Sequence, residues 1–165
     1  MNKAFTKEED GGTHQRLPDL PISSHPNHVT PNGLVTLQDR QVALFGQIAT
    51  LRDAGDGPET LHALSVAERD LRYVDARLAT AILVTPPVGN YDKVQFGAEV
   101  VVEDDNGNRR IFHLVGDDEA DPANGLIAAH SPLASALLES KISEIVEWVK
   151  PTGTEDLEII EIRKR

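Results

Sequence analysis

The sequence predicts an α+β protein: an antiparallel helical hairpin, then a small antiparallel β-sheet domain with one short helix. Three observations predict it. Apolar residues recur at 3–4 spacing from Leu34 to Leu51 and again from Leu64 to Ala81, and the turn-forming stretch Asp53-Ala54-Gly55-Asp56-Gly57-Pro58 separates the two runs. Beyond Leu83-Val84-Thr85-Pro86-Pro87-Val88-Gly89-Asn90 the period changes from helical to alternating. Within the alternating part, Asp105-Asn106-Gly107 is a hairpin signal, because Asn-Gly accepts positive φ.

Taken in order, residues 1–29 read as a disordered leader, rich in Lys, Glu, Asp, Gly, Ser and Pro and without an apolar face. His25-Pro26-Asn27-His28 holds two histidines, but a His pair without closing ligands is weak evidence for a metal site. The hairpin is expected over 30–83. Thr30 is a candidate N-cap and Pro31 a first helical residue. Leu34, Leu37, Leu44, Ile48 and Leu51 form a heptad seam with Gln41 as its polar position, and Phe45 widens the stripe.

The tip is expected at 54–59. The second helix runs from Pro58 to Ile82, with Leu64, Ala67, Leu71, Val74, Leu78 and Ala81 on its seam. Glu68, Arg69, Asp70, Arg72, Asp75 and Arg77 make its outer face, either a solvated surface or a contact for RNA phosphates. Residues 84–90 are a linker, where adjacent prolines stop the helix.

In the sheet domain, 91–165, Val94, Phe96, Ala98, Val100 and Val102 alternate along a first strand whose hairpin partner is Arg109–Val115. A strand follows at Leu126–Ala129. Ser131 and Pro132 open a short helix as N-cap and first residue. Ile145–Val149 and Leu157–Ile162 are the last strands, joined at Pro151-Thr152-Gly153.

Composition bounds the function. The chain has 165 residues and a formal net charge of −11, which disfavours tight independent binding to nucleic acid and suits a basic partner surface. There are no cysteines, hence no disulfide, thiolate metal site or cysteine nucleophile. No apolar run is long enough for a membrane span, so a soluble, cytoplasmic protein is expected, read as a monomer.

Phe96-Gly97-Ala98-Glu99-Val100, Val115-Gly116-Asp117-Asp118-Glu119-Ala120-Asp121 and Ser131-Pro132-Leu133-Ala134-Ser135-Ala136-Leu137-Leu138 resemble the C-terminal domain of the Gre transcript-cleavage factors of bacteria. Val29-Thr30-Pro31-Asn32-Gly33-Leu34 resembles the start of that family's coiled coil, and Gly55-Asp56-Gly57-Pro58-Glu59 its Gly-Asp-x-x-Glu tip. The resemblance covers about residues 29–163. It implies an FKBP-like C-terminal domain that docks on RNA polymerase at its secondary channel, and a coiled coil that enters the channel. The acidic tip then helps hold a catalytic Mg²⁺ while the polymerase hydrolyses backtracked nascent RNA. The protein would be an accessory factor and not itself an enzyme.

By this resemblance Asp56 and Glu59 are the catalytic and metal-holding pair. Read from residues alone, the same pair could be an N-cap and a first-turn charge. His130-Ser131-Pro132 corresponds to the polymerase contact, with His130 in place of the family's Asp or Asn; helix capping also accounts for Ser131 and Pro132. The acidic run Asp117–Asp121 reads as a partner-facing surface or a solvated loop, and His62 and His113 read as structural.

Each arm is shorter than the usual Gre hairpin by about a heptad, which preserves the seam but shortens the reach by about 10 Å. A regulator that binds RNA polymerase without cleavage is therefore the alternative. A prolyl isomerase, suggested only by the fold, is disfavoured because the domain's aromatics are few.

Overall fold

The computed structural model describes residues 14–85 and 91–164. Contacts divide the chain into two compact units, one built on 14–22 with Gln38–Arg77 and the other on Ser23–Leu37 with 78–164.

Helix α1 (Pro31–Asp53) and helix α2 (Pro58–Ala79) form the hairpin. The buried apolar side chains of α1 are the seam residues Leu37, Leu44 and Ile48; Leu64, Ala67 and Val74 answer them on α2. Side-chain bonds cross between the helices. Gln41 Nε2 donates to Asp75 Oδ1 at 2.7 Å and Arg52 Nη2 to Glu68 Oε1 at 2.9 Å, so ascending numbers on one helix meet descending numbers on the other. Glu68 and Asp75 therefore belong to the flank of the seam and not to a free outer face.

Two further expectations for the hairpin are corrected. Phe45 does not widen the buried stripe, since it is 53% exposed. Arg77 is not on the outer face, since it is 1% exposed. A helix pattern places residues by angle, and it does not show which long side chains fold back into cover.

Residues 14–22, expected as unordered leader, lie along α2. Arg72 donates through Nε to Asp19 Oδ1 at 2.6 Å and through Nη2 to the Leu17 carbonyl at 2.7 Å. His14 meets Glu68 Oε2 at 2.8 Å and Ser65 Oγ at 3.1 Å. Composition hides such an arrangement, because it is made by polar side chains and not by an apolar face. Residues 1–13 of that leader lie outside the described residues, as does 86–90 of the linker.

The second unit contains the root of the hairpin. Strand β1 (His28–Val29) pairs in parallel with β2 (Ile82–Leu83). The expected last turn of the second helix is thus a strand: Ile82 N–H donates to the Asn27 carbonyl and Val84 N–H to that of Val29.

Five strands make the main sheet: β3 (Ala98–Asp104), β4 (Arg109–Val115), β5 (Leu126–Ala128), β6 (Ile145–Lys150) and β7 (Gly153–Lys164), in the order β5-β4-β3-β7-β6. It is mixed and not wholly antiparallel, because β5 runs parallel to β4. The crossover passes through two 3₁₀ turns, Asp117–Glu119 and Pro122–Asn124, which can deliver a strand in either direction. The strand expected from Val94 begins only at Ala98, because Gly97 has φ +82°. A register shift between Val101 and Val102 against β7 accompanies burial of Val101, which strict alternation would expose.

Helix α3 (Pro132–Leu137) covers the sheet and closes a core that includes Val94, Val100, Val102, Leu114, Leu133, Leu137, Leu157 and Ile159. Leu157→Ala, at a fully buried position, is expected to lower unfolding free energy by about 2–5 kcal/mol in urea titrations. No helix among the described residues is long and apolar enough to cross a membrane.

Candidate functional site: hairpin tip and docking loop

The tip is built by one glycine and one proline. Gly55 has φ +99°, a conformation that L side chains rarely adopt, so the chain reverses there without strain. Helix α2 then starts at Pro58, whose missing N–H leaves no donor unpaired. Its first turn closes from Leu61 N–H to the Gly57 carbonyl at 2.9 Å, which makes Gly57 the N-cap. Asp56 stands one residue outside the helix. Among the described residues neither the Asp56 nor the Glu59 carboxylate takes part in a hydrogen bond or ion pair, and both residues are exposed. The capping reading of Asp56 therefore has no bond to rest on. What the turn offers is two uncommitted carboxylates with hard oxygen donors, the donor type that Mg²⁺ prefers.

The second set lies on the sheet unit. Ser131 Oγ accepts from Ala134 N–H at 3.3 Å, so it caps α3 as its sequence context predicts. Ser131 and Pro132 line an apolar groove of about 260 Å³ with Phe112, Ile127, Leu133 and Trp148. Phe112 and Trp148 meet edge-on, centroids 6.3 Å apart. Few as its aromatics are, the domain does assemble an aromatic-lined groove. Arg110 and Lys150 lie 5.6 and 4.8 Å from the centroid of the Trp148 ring. Both cations pair with Glu155. The hydrogen bond from Lys150, and then that from Arg110, holds the Glu155 carboxyl below its ordinary range against the opposing effect of burial.

His130, just before the cap, is engaged on two sides. Its Nδ1 lies 2.9 Å from Asp117 Oδ1, and the His25 ring stacks on it with centroids 4.2 Å apart and planes 10° from parallel. His28 turns elsewhere, tilted on Phe96 at 5.7 Å, so the His25/His28 pair does not converge. Among the described residues no group of three or more His, Cys, Asp or Glu is arranged to hold a metal ion.

The family model described as transcription elongation factor, GreA/GreB, C-term, matches residues 88–164. The transcription elongation factor GreA of Thermodesulfovibrio yellowstonii is 37% identical over 149 residues, covering 81% of this chain and 94% of that protein. The chain belongs to the GreA/GreB family. GreB of Yersinia pestis is 35% identical over 122 residues, covering 72% of this chain and 71% of that protein. A solved structure of a prokaryotic GreA/GreB factor from Nitrosomonas europaea aligns over 82% of this chain and 97% of that one, at 23% identity and TM-score 0.41.

For a GreA/GreB member, two groups of residues escaped sequence reasoning. Two members of the acidic run are engaged within the chain. Asp117 reaches His130, and Glu119 takes the Thr30 hydroxyl at 2.5 Å, the Thr30 N–H at 3.3 Å and the Gly116 N–H at 3.3 Å. His25 is the other omission. Its approach to His130 spans 105 positions of sequence, and no local pattern reports a contact of that kind. His113 points to the Gly97 carbonyl at 3.1 Å, and His62 is exposed. Arg69 binds Asp70, Arg72 binds the leader and Arg77 is buried, which leaves the expected RNA-phosphate face largely committed within the chain.

Proposed function

We propose that this protein binds RNA polymerase through the loop His130-Ser131-Pro132 and uses Asp56 and Glu59 to promote hydrolysis of backtracked nascent RNA at the polymerase active site. The observation that carries the reading is the tip itself: two carboxylates at a glycine-proline turn, exposed and bound to nothing among the described residues, in a GreA/GreB member. The hydrolysis belongs to the polymerase, and this chain is its accessory factor. Asp56 and Glu59 would hold a Mg²⁺ ion jointly with the polymerase, since a pair of carboxylates binds Mg²⁺ only as part of a larger oxygen shell. When bound, the ion supplies charge stabilisation and an activated water for phosphodiester cleavage. The Asp56 and Glu59 carboxylates hold no partner among the described residues, so no internal ion pair has to break first.

A second reading rests on helix length. At about 1.5 Å per residue, the 23 residues of α1 span about 34 Å, shorter by about 10 Å than the hairpin implied by the Gre resemblance. On this reading the protein occupies the polymerase without cleavage. One experiment separates the two: purified protein added to stalled, backtracked complexes with end-labelled RNA. Shortening of the RNA supports the cleavage function, and binding without shortening supports the second reading. In the latter case, inserting one heptad in each arm is expected to restore cleavage, because seven residues add reach without changing the seam.

A further inference from the structure

Three stretches far apart in sequence meet at His130: the segment before β1 through His25, the 3₁₀ turn after β4 through Asp117, and the loop before α3. The Asp117 carboxylate, 2.9 Å from Nδ1, electrostatically favours the neutral tautomer with its proton on that side of the ring, which leaves Nε2 as an acceptor. The stack on His25 fixes the plane of the ring and therefore the direction of that acceptor. Among the described residues Nε2 of His130 takes no hydrogen bond, while the side chain is 39% exposed.

The remaining charged and titratable groups of the adjoining cavity are His28, Lys93 and Glu139. Lys93 and Glu139 pair with each other, and His28 rests on Phe96. Asp117 is thus the carboxylate that sets the character of the His130 ring.

We propose that His25 and Asp117 are positioning residues of the docking surface: they orient His130 so that Nε2 accepts a hydrogen bond from a cationic donor, a guanidinium or an ammonium, on RNA polymerase. The inference rests on the docking reading above. Its charge logic is that Asp117 stands behind the ring in a chain of net charge −11, which favours a cation in front of it.

The test is the affinity of the full-length protein for RNA polymerase holoenzyme. His25→Ala and Asp117→Asn are each expected to bind about three- to tenfold more weakly than wild type. His25→Phe keeps a stacked ring and is expected to retain wild-type affinity. That rescue separates positioning from a general loss of folding, which thermal melts of the same proteins report directly. The proposal is overturned if His130→Ala weakens binding while His25→Ala and Asp117→Asn match wild type in affinity. If His130→Ala itself binds as wild type does, docking through this loop is wrong and the inference falls with it.

Discussion

Asp56→Asn and Glu59→Gln are each expected to lower the rate of RNA cleavage by about a hundredfold or more while leaving the affinity for the stalled complex unchanged. The amides keep the shape of the side chains and remove the negative oxygen that Mg²⁺ takes as a ligand. Neither substitution should disturb the fold, because both residues are exposed and neither holds a bond among the described residues. Glu59→Gln removes a favourable charge from the first turn of α2, worth less than about 1 kcal/mol at an exposed helix start. Raising Mg²⁺ should restore part of the lost rate, since a weakened site fills at higher concentration. The measurement is single-turnover cleavage over a Mg²⁺ series. Wild-type rates in both variants would remove the metal-holding role from the tip.

The parts of this reading that the sequence carried are the ones set by local rules. Thr30 and Pro31 begin a helix, Gly55 and Pro58 turn it, and Ser131 and Pro132 begin another, because capping and φ restriction act within a few residues. Strand β4 falls where alternation places it, at Arg109–Val115. What was not legible depends on meetings across the chain. The parallel pairing of β5 is set by the crossover, and the two-residue β1–β2 ladder by the return of Ile82 to Asn27. Arg77 is buried although its neighbours are charged, and His25 reaches His130 from a stretch whose composition reads as loop. The acidic run shows the limit most clearly. Its composition predicts charge at a surface, yet Glu119 is a structural acceptor for the start of α1, and only the fold brings it to Thr30.

That acceptor leads to the second large effect. Gly33→Ala and Glu119→Ala are each expected to destabilise the protein by about 2–3 kcal/mol, and for the same reason. A Cβ on Gly33 would lie 2.2 Å from the Glu119 carboxyl carbon and from Oε2, so the alanine cannot be accommodated without driving the carboxylate away. The glycine is required here by close approach and not by its backbone angle. Displacing Glu119, or deleting it, takes the same acceptor from the Thr30 N–H, the Thr30 hydroxyl and the Gly116 N–H. Thr30 is buried, so its amide has no easy recourse to water. Thr30 also caps α1 through the bond from Gly33 N–H to its hydroxyl at 3.0 Å, and a cap whose own hydroxyl proton has lost its acceptor is less well placed. Because both substitutions break one network, their effects should not add. The double variant is expected to lose about as much stability as either single one, a coupling that a urea-unfolding double-mutant cycle measures directly. Additive losses would mean that Gly33 and Glu119 act separately, and that the acidic loop does not anchor the first turn of the hairpin.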